Sequence, residues 1–207
     1  KAYKIVSLLA EDLDKASIFK SYATAILSKL GNFPALQFLT DTLDYQEKLP
    51  FERELEKKLK EEVQKVPHEK VFFTDSQYQI FEELKLNNHF SFSGPTSLGK
   101  SFIIESFIKY IISKDKKNII VLVPTRALIN QVTLKLKKSL ADNNDYKILS
   151  HPIIPDFFRN SSDKYIFVFT PERLLAYLSL DNPPIEYLFI DEAQKIISPK
   201  DSRSPLY

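Results

Sequence analysis

The sequence predicts an α/β protein: a parallel β-sheet flanked by helices and preceded by a small all-helical region. Three observations carry this expectation. The runs Ile119–Val123, Tyr165–Phe169 and Tyr187–Ile190 are unbroken apolar stretches separated by helical segments, the signature of strands buried on both faces. Gly94-Pro95-Thr96-Ser97-Leu98-Gly99-Lys100-Ser101 fits the phosphate-loop pattern G-x-x-x-x-G-K-[ST], which belongs between a strand and a buried helix. Residues 1 to about 66 show helical spacing of their apolar side chains instead.

Taken in order, Ile18, Tyr22, Ile26 and Leu30 recur at helical spacing, and Gly31 follows as a C-terminal cap. Pro34 opens a second helix carrying Leu36, Leu39 and Leu43, and Pro50 a third with the stripe Phe51, Leu55, Leu59 and Val63. Six basic and six acidic side chains between residues 50 and 70 read as a solvated helix face. Pro67 closes the segment, so a helical region over 1–68 and an α/β domain over 69–207 are expected. Within the latter, Phe90-Ser91-Phe92-Ser93 reads as a short strand entering the glycine loop. Phe102, Ile103, Ile104, Phe107, Ile108, Ile111 and Ile112 give the helix leaving it a broad apolar face.

Composition sets wide bounds. The 207 residues are 43% hydrophobic and 13% aromatic, ample for a packed core, and 29 basic against 27 acidic residues leave a net charge of +2. Bulk charge therefore argues for neither nucleic-acid nor membrane partners. The absence of cysteine removes disulfides and thiol chemistry, and His68, His89 and His151 show no metal-ligand spacing. No window approaches the ~20 apolar residues of a membrane span, and no secretory signal opens the chain, so a soluble cytoplasmic protein is the expectation. Methionine is absent even at position 1, which leads us to expect a fragment of a longer chain.

The glycine loop explains itself chemically. Its backbone N–H groups must wrap phosphate oxygens, and residues without a Cβ permit the tight turns at Gly94 and Gly99. Lys100 supplies a point charge to the β and γ phosphates. Ser101, at the helix start, offers its hydroxyl to Mg2+, and the helix N-terminus adds partial positive charge. The strand Tyr187–Ile190 ends in Asp191 and Glu192, where a phosphate-loop protein places its second acidic element: Asp191 to hold the magnesium through water, Glu192 to orient and deprotonate the attacking water.

Three further stretches complete an ordered set: Thr74-Asp75-Ser76-Gln77, Pro124-Thr125-Arg126-Ala127-Leu128 and Thr170-Pro171-Glu172-Arg173-Leu174. Together the five motifs resemble the first, RecA-like motor domain of superfamily 2 helicases of the DEAD/DEAH-box kind, over about residues 71–198. The resemblance implies ATP and Mg2+ as cofactors and Gln77 as the adenine-reading glutamine, with Phe72 or Phe73 to stack on the base. It implies that Thr125, Arg126, Thr170 and Arg173 hold the backbone of one DNA or RNA strand, which suits hydroxyls and guanidinium forks. Catalysis falls to Lys100, Asp191 and Glu192. Gln194 stands where the family usually has Asp or His, which bears on the subclass. A second motor domain and its arginine finger are expected beyond Tyr207, so the chain alone should hydrolyse ATP poorly. The alternatives are a phosphate-loop ATPase that moves protein, or an interaction module with a degenerate ATPase. A GTPase is disfavoured, because no Asn-Lys-x-Asp stretch occurs.

Overall fold

The structure is a computed structural model that describes residues 16–43, 48–141, 143, 145–158 and 164–193. The chain divides into two compact units, Lys1–Ser106 and Phe107–Tyr207. The division lies inside a helix. Around residue 68, where the helical region is expected to end, the backbone pairs with itself. Lys65 and Phe72 form an antiparallel bridge, the N–H of Phe73 donates to the Gln64 carbonyl at 2.7 Å, and that of Val66 donates to the Val71 carbonyl at 3.0 Å. Two backbone hydrogen bonds, which together make the bridge, thus cross residues 66–71 and fasten the helical region to the segment that follows it.

In the first unit, helices α1 (Ala16–Lys29) and α2 (Phe33–Leu43) are joined by a tight turn. Gly31 takes φ +66°, its N–H donates to the Ser28 carbonyl, and the N–H of Asn32 donates to the Leu27 carbonyl, the paired closure of a Schellman cap. Asn32 then caps α2 by accepting from the N–H of Ala35 at 3.3 Å. Leu27, Phe33, Leu36 and Phe72 form the core here. The buried face of α1 is Ala23, Thr24, Leu27 and Ser28, while Tyr22 and Leu30 are exposed. The true face is thus turned by one residue, about 100°, from the predicted stripe.

Helix α3 (Phe51–Val63) follows Pro50. It is turned inside out. Phe51, Leu55, Leu59 and Val63 are 80%, 49%, 56% and 60% exposed, and the sides of Lys57 and Lys60 face the protein instead. Lys60 is held by Glu56 at 3.2 Å and Asp75 at 2.8 Å and lies 5.5 Å from the centre of the Phe33 ring, so its alkyl stem does the packing. Helix α4 (Asp75–Leu86) begins at a capping box described below.

The expected strand Phe90–Ser93 is not a strand. It joins no strand among the described residues and is mostly exposed, and the Phe90 and Phe92 rings stack on each other at 6.1 Å. Two residues apart, they satisfy one another, and the alternating serines offer nothing to bury. Helix α5 (Lys100–Lys114) forms as expected, with Ile103, Phe107, Ile108, Ile111 and Ile112 buried.

The second unit is built on a four-stranded parallel sheet: β1 (Ile119–Leu122), β2 (Tyr146–Leu149), β3 (Lys164–Phe169) and β4 (Tyr187–Ile190), in the order β2-β3-β1-β4. Helices α6 (Arg126–Ser139) and α7 (Pro171–Leu178) connect strands. The α/β class with a parallel sheet and flanking helices is as the sequence predicts. β1 and β3 are central and almost wholly buried, and a core of Ile120, Leu122, Phe167, Phe169 and Tyr177 packs on one face. Strand β2 has no counterpart in the sequence reading: it is an edge strand in which Tyr146 alone is buried, so it lacks an apolar run. Leu122 is in register with both Phe169 and Ile190, so the carboxyl ends of β1, β3 and β4 lie along one edge.

Candidate functional site

The glycine loop in the first unit has a defined shape. Thr96–Leu98 make one 3₁₀ turn, Gly99 closes it at φ +73° and ψ 40°, and α5 begins at Lys100. Only a residue free of Cβ strain adopts that left-handed conformation readily. At Gly94 the reason for glycine differs: a Cβ there would come within 2.5 Å of the Leu98 side chain. The two glycines therefore serve backbone conformation and close approach respectively. The Lys100 ammonium folds back over the loop, donating to the carbonyls of Gly94 at 2.6 Å and Pro95 at 3.2 Å, and the neighbouring Ser101 is exposed at the helix start.

Gln77 belongs to the same assembly. Thr74 caps α4, its hydroxyl accepting from the Gln77 N–H at 3.4 Å, while the Gln77 side-chain oxygen accepts from the Thr74 N–H at 3.0 Å. The other end of that amide donates to the Leu98 carbonyl in the loop at 3.0 Å. One hydrogen and one lone pair of the amide are left over, which is what reading a base edge requires. Next to it, Asp75 accepts from Gln64 Nε2 and from Lys60 Nζ, both at 2.8 Å. The Gln64 hydrogen bond, and after it Lys60, holds the Asp75 carboxyl below the ordinary carboxylate range.

Phe73 and Phe72, expected to stack on the base, are packed in the interior instead. Phe73 is fully buried between Phe81, at 4.9 Å, and Phe102, at 5.7 Å, and Phe72 lies in the core with Leu27 and Phe33. Neither ring presents a face for a base, because each is spent on packing.

In the second unit the expected residues gather on the carboxyl edge of the sheet. Asp191 follows β4, its N–H donating to the Leu122 carbonyl at 2.9 Å, and its carboxylate accepts from the N–H of Glu192 at 3.0 Å. Glu192 sits at φ +56°, a left-handed conformation uncommon for a residue with a Cβ and the kind of local strain found at functional positions. Gln194 lies outside the described residues.

The four strand-end residues differ among themselves. Arg126, the first residue of α6, is exposed, and Thr125 at its N-cap is half-buried. Thr170, the N-cap of α7, is only 3% exposed. Arg173 donates from its guanidinium to the Ser150 carbonyl, just after β2. Thr170 and Arg173 are thus engaged by the fold itself, which their motif gave no means of foreseeing. Among the described residues, no helix is long and apolar enough to cross a membrane.

The chain is similar in sequence to known proteins. Anti-bacteriophage protein B of Escherichia coli (strain K12) is 31% identical over 124 residues, 60% of this chain and 16% of that protein. ATP-dependent RNA helicase DBP6 of Candida albicans (strain SC5314 / ATCC MYA-2876) is 33% identical over 113 residues, 51% of this chain and 18% of that protein. The chain therefore spans less than a fifth of the length of these curated relatives. No solved structure matches it. The DEAD/DEAH box helicase family profile matches residues 74–205, from the capping threonine of α4 past the acidic pair and so over more than half the chain, and the chain belongs to that family.

Proposed function

We propose that the chain is the ATP-binding motor domain of a nucleic-acid helicase or translocase, acting on DNA or RNA together with a second motor domain. The observation that carries this reading is the glycine loop, where two glycines, a lysine turned over the loop and an exposed helix start stand beside a glutamine amide with hydrogen-bonding capacity to spare. These residues fit a nucleotide triphosphate. Pro95 has no N–H to offer; the backbone N–H groups of Thr96 to Ser101 cradle phosphate, Lys100 exchanges its carbonyl contacts for the β and γ phosphates, and Gln77 reads adenine. Ser101 and Asp191 are the residues that would hold magnesium, which when bound would neutralise charge on the phosphate oxygens.

The remaining chemistry falls to the chain's own carboxylates. Glu192 accepts a proton from the attacking water as its oxygen joins the γ phosphorus and the bond to the β–γ bridging oxygen breaks. The αL backbone and the Asp191 hydrogen bond to its N–H set where that carboxylate starts. Arg126 and Thr125 bind the nucleic-acid backbone without reading sequence, since they offer only charge and a hydroxyl. Arg173 joins them after releasing the Ser150 carbonyl, and Thr170 once its buried N-cap position opens.

The test is binding of a fluorescent ATP analogue by the parent and by Lys100→Ala, with single-stranded DNA and RNA added in turn. Loss of binding in the variant and ATP-dependent capture of a single strand by the parent are expected. Undiminished binding by Lys100→Ala would refute the site. ATP binding with no response to either nucleic acid would favour the protein-moving ATPase.

A further inference from the structure

The polar network around Asp75 reaches outside the segment that the family profile covers. Lys60 and Gln64 both come from the α3 end of the helical region, and each takes one oxygen of the Asp75 carboxylate at 2.8 Å. Gln64 also accepts the Phe73 N–H on its carbonyl, so one residue grips the chain on two sides of Thr74. Asp75 is the first residue of α4 and Gln77 the third. With Phe73 and Asp75 both held, the turn that forms the capping box cannot tilt, and the Gln77 amide is directed at Thr74 and Leu98 with its spare hydrogen and lone pair in fixed directions.

From this geometry we infer that Lys60 and Gln64 are positioning residues for adenine selection, acting through Asp75 on the side-chain amide of Gln77. The inference rests on the reading of Gln77 as the adenine-recognising residue. Neither residue touches nucleotide in this account. Their contribution is to remove the freedom that would let the amide meet a guanine edge as readily as an adenine edge, a matter of selectivity and not of overall affinity. Lys60 is well placed for such a task. Burial disfavours its charge, yet the hydrogen bonds to Asp75 and Glu56 outweigh it and raise its pKa, so it remains an ammonium locked to the Asp75 carboxylate.

The experiment is displacement of a fluorescent ADP analogue from the purified protein by ATP and, separately, by GTP. Lys60→Met should weaken ATP about threefold to tenfold and leave GTP unchanged, a coupling of the size usual between residues in one hydrogen-bond network. Lys60→Arg, which keeps the charge, should restore most of the preference. In a Gln77→Ala background, Lys60→Met should add nothing, because the amide it steadies is gone. Asp75→Asn, close to isosteric, reads the same link should Lys60→Met fail to fold. Equal weakening of ATP and GTP, or losses that simply add in the double variant, would overturn the inference. If Gln77→Ala itself leaves the ATP preference intact, the reading of Gln77 falls and this inference with it; if Gln77→Ala abolishes the preference while Lys60→Met and Asp75→Asn do not, the positioning role alone is wrong.

Discussion

Gly99→Ala and Gly94→Ala introduce the same methyl group five residues apart, and the structure assigns them different costs. At Gly99 the backbone stands at φ +73°, where an L-residue is disfavoured by about 1–2 kcal/mol. The new Cβ would also lie 3.0 Å from Gln77 Nε2, so the amide must give way and its bond to the Leu98 carbonyl weakens, at about 0.5–1.5 kcal/mol. Restricting the unfolded chain returns only about 0.4–1 kcal/mol. The net loss is about 1–2 kcal/mol, which for a chain of this size lowers the melting temperature by roughly 3–6 °C. At Gly94 the clash is with Leu98 Cδ2 at 2.5 Å, the far end of a flexible side chain. Turning that side chain costs about 0.5–1.5 kcal/mol, and the unfolded-state gain offsets most of it, leaving a change within about 1 kcal/mol. Thermal unfolding followed by circular dichroism measures both variants, and displacement of a fluorescent ATP analogue measures what each does to the loop. A Gly99→Ala protein that melts with the parent, or one that melts above Gly94→Ala, would refute the reasoning.

Glu192→Gly should melt about 2–4 °C above Glu192→Ala, because both lose the carboxylate but only glycine is relaxed at φ +56°; phosphate release should fall by about 10² or more in both. Arg126→Ala should weaken single-strand binding and lower its salt slope by about one without changing stability. Arg173→Ala should additionally destabilise by about 1–3 kcal/mol, since it abandons the Ser150 carbonyl, and identical melting of the two variants would count against that contact. The stabilisation from Asp75 should be present above its ordinary pKa of 3.8 and be lost as pH falls through its lower folded value. The melting difference between parent and Lys60→Met should therefore persist at neutral pH and shrink in acid below about 3.8, and a difference that grows there would reverse the sign.

Much of the second unit was legible because its central strands β1 and β3 are buried on both faces and spell continuous apolar runs, each within one residue of expectation; β4 falls on the residues expected but is an edge strand with Leu188 half exposed, not one buried on both faces. β2 was not legible, since an edge strand with one buried tyrosine carries no such run. The loop could be read from spacing alone, as both reasons for its glycines, the left-handed turn at Gly99 and the approach of Leu98 to Gly94, lie within the loop itself. Gln77 could be placed by its motif, and its capping partner Thr74 lies in that motif, but its bond to the Leu98 carbonyl comes from a sequence-distant segment and no spacing reports it. Phe73 was misjudged for the opposite reason: an aromatic next to a motif looks available for stacking, and only the positions of Phe81 and Phe102 show that it is taken. The strand expected at Phe90–Ser93 failed because alternation describes a shape and not a partner.

Helix α3 has a consequence for how substitutions along it will be tolerated. Its four large apolar residues touch little, whereas Arg53, Glu56, Lys60 and Asp75 form a chain of ion pairs at 2.6, 3.2 and 2.8 Å that ties the helix to α4. A saturation scan read with the usual hydrophobic expectation would therefore come out inverted. Serine or glutamine at Leu55 and Leu59 would pass unnoticed in a folding screen, while methionine at Lys60, ordinarily the gentler change, would register. Sequence variation along this helix should be scored by charge pattern, with hydrophobicity as the poor guide.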